Sequence, residues 1–129
     1  MRRALLAVIR LAIGAVFLAV GAQKFARHAA EVKDFTHWGL PSPDIAVYAV
    51  GSLELVCGLL VLLGLATRLG ALLLLCDMVG AVATAGRVDH GFHLIAPPLL
   101  ALFCLILAAR GGGAWQLLDR IDPAARSRA

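Results

Sequence analysis

The chain has 129 residues, of which 61% are hydrophobic, with a mean hydropathy of +0.89 and a formal net charge of +4. Soluble domains are about half apolar, so this composition excludes one and, with the apolar residues gathered into long runs, indicates an integral membrane protein. The surplus positive charge flanks those runs; it reads as a topology signal and requires no nucleic-acid partner.

Four apolar stretches follow in chain order, roughly 4–23, 44–65, 68–86 and 91–109. Each approaches the roughly 20 residues that cross an apolar slab of about 30 Å. The expected fold is all-α: a four-helix up-down bundle in one membrane domain, 1–110, followed by a tail, 111–129, with both termini cytoplasmic. The first stretch opens with Arg2 and Arg3 as a signal peptide would, but its apolar run is too long and Arg10 interrupts it, so it is read as a span. Within it Arg10, Gly14, Phe17, Gly21 and Lys24 recur at helical spacing and share one face.

The long connection KFARHAAEVKDFTHWGLPSP covers 24–43. Its first part is expected to continue as an interfacial helix, with Phe25, Val32, Phe35 and Trp38 at headgroup level. Gly39, Pro41 and Pro43 end it, and Ser42 or Asp44 is placed to cap the second span. In that span Val47, Gly51, Glu54, Gly58 and Leu65 lie near one stripe, and in the third Gly70, Leu73, Asp77, Gly80, Thr84 and Arg87 repeat the pattern. The remaining connections, around Arg68 and from Arg87 to His90, are short, which makes sequential helices antiparallel. Pro97 and Pro98 fall inside the fourth span and are expected to kink it and release backbone carbonyls.

Charge sets the orientation. Arg2, Arg3, Arg68, Arg110, Arg120, Arg126 and Arg128 fall on one side, read as cytoplasmic; Lys24, Arg27, Lys33 and Arg87 fall on the other, with Glu31, Asp34, Asp44 and Asp89. The basic tail suits anionic lipid headgroups.

Ionisable residues inside spans carry the functional information, because exposing them to lipid is costly and small neighbours let helices close around them. Glu54 and Asp77 each lie about ten residues from one end of their spans, hence roughly 15 Å deep and level with each other. Arg10 is nearer the cytoplasmic surface, and its long side chain can lean toward either carboxylate. Glu54, Asp77 and Arg10 are therefore the candidate catalytic residues, with Gly14, Gly21, Lys24, Gly51, Gly58, Gly80 and His93 as candidate ligand-facing residues. A second reading of the same cluster is packing that fixes helix register. Cys57, Cys76 and Cys104 form no CxxC pair and read as small buried hydrophobes. His90 and His93, with His28 and His37 in the loop, lack a defined third ligand, so no metal site is assigned.

The stretches IRLAIGAVFLAVGAQKF and GSLELVCGLLVLLGLATRLGALLLLCDM, with a loop ending in GLP, resemble the DoxX family of small four-helix membrane proteins. Arg10, Gly14, Phe17, Gly21 and Lys24, then Glu54, Gly58, Gly64 and Thr67-Arg68, carry the likeness across the first two thirds of the chain. Beyond Gly86 it thins: Gly91-Phe92-His93 stands where relatives often have a carboxylate after a Gly-aromatic pair, and GGGAWQLLDR replaces a GPGR-type turn. The resemblance implies membrane redox chemistry, associated with thiosulfate:quinone oxidoreductase and with complexes that protect against oxidative and thiol stress. No nucleotide fingerprint, redox cysteine pair or haem-attachment motif is present in the sequence.

Two readings follow. In one, the bundle is a quinone-reactive subunit: Glu54 and Asp77 exchange protons, Arg10 or Lys24 stabilises an anionic form, and a partner redox protein supplies electrons. In the other, it is a non-catalytic module that binds lipid or stabilises a partner. The cofactor, with quinone a candidate, and any homo-oligomer stay open at this level.

Overall fold

The computed structural model describes residues 2–113 and Gln116. Of the tail expected at 111–129, only 111–113 and Gln116 fall within the described residues. Among the described residues five helices form: α1 (Arg2–Ala26), α2 (His28–His37), α3 (Pro43–Leu63), α4 (Thr67–Val88) and α5 (Phe92–Arg110). Four of them, α1, α3, α4 and α5, are long and apolar enough to cross a membrane. The short α2 occupies the connection after the first span.

Local chemistry explains the boundaries. At the end of α2, Gly39 adopts φ +79, Leu40 N–H donates to Phe35 O and Gly39 N–H to Thr36 O, the paired bonds of a Schellman cap. The end of α3 repeats the device: Gly64 has φ +73, with Leu65 N–H bonded to Leu60 O and Gly64 N–H to Val61 O. The start of α3 differs from the expected cap. Ser42 sits in the left-handed region at φ +47 and makes no side-chain cap bond, Pro43 opens the first turn, and the Asp44 carboxylate turns instead to His28.

The spanning helices form two close pairs, α1 with α3 and α4 with α5. A looser α3–α4 contact joins the pairs, and α5 returns to α1 to close the ring. Glycines bring α1 and α3 into backbone contact: a Cβ on Gly14 would lie 2.7 Å from Leu62 Cβ, and one on Gly21 would lie 3.0 Å from Gly51 O. Ile13, Phe17, Cys57, Val61, Leu74 and Leu107 belong to one buried apolar cluster, in the half of the bundle toward Arg2. On α5, by contrast, Pro97 is the sole buried residue before Cys104. The helix runs through Pro97 and Pro98, whose missing donors release the carbonyls of His93 and Leu94. Gly86 packs against that strip, its Cβ position 3.3 Å from His93 O.

Candidate functional site

Three elements build the site, and helix geometry explains its pairing. Side chains on a helix lean toward its N-terminus. Lys24, near the α2 end of α1, therefore leans down into the bundle, while Glu54, on the antiparallel α3, leans up toward α2. They meet: Lys24 Nζ lies 3.1 Å from Glu54 Oε2, with side chains 9% and 2% exposed. Glu54 and Asp77 of α4 carry their carboxyl groups within hydrogen-bonding reach of each other, and Lys24 acts electrostatically on both. Glu54 Oε2 and Asp77 Oδ2 are shielded from solvent; Oε2 faces the Lys24 ammonium, and Asp77 Oδ2 has no hydrogen-bond partner among the described residues.

One ammonium and two carboxyl groups are neutral as a set when a single proton resides between the carboxyls. Such a set can hold a proton in a low-dielectric interior without isolated charge, and the Asp77 oxygen offers a ligand an acceptor position or, when protonated, a donor one.

Arg10 occupies a different level. It lies fourteen residues before Lys24 on α1, a separation of about 21 Å along the helix. Its Nε donates to Gly112 O at 3.1 Å and its Nη1 to Val61 O at 3.2 Å, with a further bond to Leu62 O. The guanidinium thus bonds carbonyls in the last turn of α3, Leu62 O and, alongside the Gly64 N–H, Val61 O, and ties the segment after α5 beneath the bundle. Thr67 Oγ1 donates to Gln116 Oε1 at 2.9 Å and Gln116 Nε2 to Gly113 O at 3.2 Å, completing that network.

Of the other candidates, Gly14, Gly21, Gly51 and Gly58 are buried where α1 meets α3. Gly80 is exposed, with nothing within 4 Å of its Cβ position. His93 lies at the start of α5 with its ring edge-on to Trp38 at 5.2 Å. Cys57 and Cys104 are buried and Cys76 is exposed.

Above the cluster, α2 is anchored at both ends. His28 Nε2 lies 2.5 Å from Asp44 Oδ1 and its ring stacks on Tyr48 at 4.0 Å. At the far end Trp38 Nε1 donates to Asp89 Oδ2 at 2.5 Å and His37 Nε2 lies 3.1 Å from Asp89 Oδ1. The indole N–H, joined by the His37 ring, holds the Asp89 carboxyl below the usual carboxylate range. Between these anchors Phe35 is buried. Sequence reasoning places Trp38 at headgroup level but offers no signal for its bond to Asp89, 51 positions away.

Comparison with known proteins accords with this architecture. Over 76 residues the chain is 47% identical to "Uncharacterized membrane protein Rv3486" of Mycobacterium tuberculosis (strain ATCC 25618 / H37Rv), covering 57% of this chain and 46% of that one. Over 77 residues it is 34% identical to "Putative oxidoreductase CatD" of Bacillus subtilis (strain 168), covering 60% of this chain and 56% of that one. The matches thus span about half the length of these curated relatives. No solved structure matches. The DoxX family profile matches residues 5–87, a stretch that contains Lys24, Glu54 and Asp77. With four apolar spans and that match, the chain is a multi-pass integral membrane protein and belongs to the DoxX family.

Proposed function

We propose that the chain is the membrane subunit of a quinone-linked oxidoreductase, with the Lys24, Glu54 and Asp77 cluster as its proton-handling site. The observation that carries this reading is the buried cluster itself: an ion pair at 3.1 Å joined to a second carboxyl group, with a shielded Asp77 oxygen that has no hydrogen-bond partner among the described residues. The name of the B. subtilis relative supports the reaction class. Reduction of a quinone to a quinol consumes two electrons and two protons. A partner redox protein supplies the electrons; Glu54 and Asp77, which share one proton, pass protons in turn to the two ring oxygens and are reprotonated from water between transfers, and Lys24 steadies negative charge as it develops there. Arg10 acts at a distance in this scheme, fixing the α3 end that positions Glu54.

A second reading is favoured by one feature. The Lys24–Glu54 pair joins α1 to α3 much as the Arg10 bonds do, so the cluster also suits a non-catalytic module that binds lipid or stabilises a partner. Glu54→Gln separates the two. The redox reading expects loss of quinone binding or quinone-linked turnover in a folded protein; intact turnover with a lowered melting temperature leaves only the structural role. Mass spectrometry of small molecules copurifying with the detergent-extracted protein gives an independent readout, a retained quinone supporting the first reading and a retained phospholipid the second.

A further inference from the structure

The two close helix pairs divide the cluster between them. Lys24 and Glu54 stand on α1 and α3 and Asp77 on α4, so the approach of the two carboxyl groups crosses from one pair to the other. Toward Arg2 the pairs are fastened where α3 meets α4: a Cβ on Gly70 would lie 3.1 Å from Val61 Cγ2 and 3.3 Å from Cys57 O. At the opposite end α2 adds a second fastening. Its body packs against α3 and α1, and its last turn reaches the second pair through side chains. Trp38 Nε1 donates to Asp89 Oδ2 at 2.5 Å, His37 Nε2 lies 3.1 Å from Asp89 Oδ1, and the Trp38 ring meets His93 edge-on at 5.2 Å. Asp89 ends α4 and His93 lies in the first turn of α5. The two helices are joined there as well, since a Cβ on Gly86 would lie 3.1 Å from Leu94 Cδ2. The start of α2 makes no such crossing: His28 bonds Asp44 and stacks on Tyr48, both on α3.

We infer that Trp38 and Asp89 are positioning residues for the Glu54 and Asp77 carboxyl pair: through their bond, α2 straps the α4–α5 pair to the α1–α3 pair and holds Asp77 within reach of Glu54. The inference rests on the proton-handling reading of the cluster above. Asp77 lies between the two fastenings, about 10 Å along α4 from Gly70 and about 18 Å from Asp89. A shift of about 3 Å at Asp89 therefore moves Asp77 by about 1 Å, more than the spread of about 0.5 Å over which an O–H···O bond persists. An indole N–H donating to a carboxylate suits the task, because a charge-assisted bond fixes distance closely. The strap lies at the surface, with the Asp89 side chain 39% exposed, whereas the oxygens it positions are shielded from solvent.

The test reads the carboxyl pair directly, by infrared spectroscopy of the detergent-solubilised full chain. A protonated carboxyl that donates to a second carboxylate absorbs at a lower C=O frequency than one without that bond. The wild type is therefore expected to show a protonated-carboxyl band that both Glu54→Gln and Asp77→Asn alter. Trp38→Phe, which keeps an aromatic ring without the donor, and Asp89→Leu, which removes the acceptor, should each raise the frequency of that band in protein that circular dichroism shows to be folded. Asp89→Asn leaves the indole an acceptor; it should raise the frequency less, and it gives a readout that does not depend on the stronger variants folding. His28→Asn is the control, since it breaks the anchor of the same helix to its own pair and should leave the band in place. An unmoved band in the Trp38 and Asp89 variants overturns the strap and leaves the proton-handling reading standing, as does an equal shift in His28→Asn. A wild type with no band sensitive to both carboxyl replacements overturns that reading and the strap with it.

Discussion

Replacing Lys24 with Met removes the positive member of the buried pair while keeping a long apolar side chain in place. At 3.1 Å and an effective dielectric of about 20, the Coulomb attraction is about 5 kcal/mol, against which the desolvation of both groups must be set. Loss of one member of such a pair strands a buried charge and is expected to cost about 3 to 5 kcal/mol. Glu54→Leu alone leaves Lys24 only the Asp77 carboxyl as a counter-charge and is expected to cost about 2 to 3 kcal/mol. The double variant strands neither, so the two penalties do not add, and the cycle should return a coupling energy of about 2 kcal/mol. The assay is reversible unfolding of the four proteins in mixed micelles at neutral pH, followed by helical circular dichroism. Additivity to within about 0.5 kcal/mol refutes the argument, because it means that the two side chains do not depend on each other.

Gly14→Leu should be severely destabilising, by more than about 3 kcal/mol, since even a Cβ there meets Leu62 at 2.7 Å and its backbone at 2.8 Å; Gly80→Ala should be neutral or stabilising by up to about 1 kcal/mol, measured in the same unfolding assay. Arg10→Leu removes charged bonds to three carbonyls and is expected to cost at least about 2 kcal/mol, with faster proteolysis after Arg110 as a second readout. The Asp89 anchor should hold at neutral pH and release only in acid. Its carboxyl titrates below the usual range in the folded protein, so its contribution is complete above the ordinary carboxylate value and is lost as pH falls through the lowered one. Trp38 fluorescence in a Trp115→Phe background should report that release, and Asp89→Asn should abolish the transition.

Much of the bundle is legible in residue order because small and charged residues on a membrane helix must share its inner face. Arg10, Gly14, Phe17, Gly21 and Lys24 recur at one spacing, and all five are buried. The α4 stripe is harder to read. Gly70 is buried, Asp77 half-buried and Gly80 exposed, since the stripe runs along the edge of the buried face. Which cation faces Glu54 is a matter of side-chain direction: depth alone admits Arg10, whereas the lean of side chains on antiparallel helices brings Lys24 to it. The carbonyls that Arg10 serves include Gly112 O, and no periodic pattern encodes a segment folding back under the bundle.

The turn between α3 and α4 is held by two left-handed residues, Gly64 at φ +73 and Ala66 at φ +47, and Gln116 sits so close to Gly64 that a Cβ there would lie 2.6 Å from its Cα. Mechanically this is the pivot of a pair of levers. Glu54 and Asp77 each stand about ten residues from it, an arm of roughly 15 Å, so a change of about 4° at the pivot alters the distance between the carboxyl groups by about 1 Å. That is the difference between sharing a proton and not sharing one. The residue that wedges the pivot therefore stands where a small displacement is enlarged at the carboxyl pair, far from any contact with it.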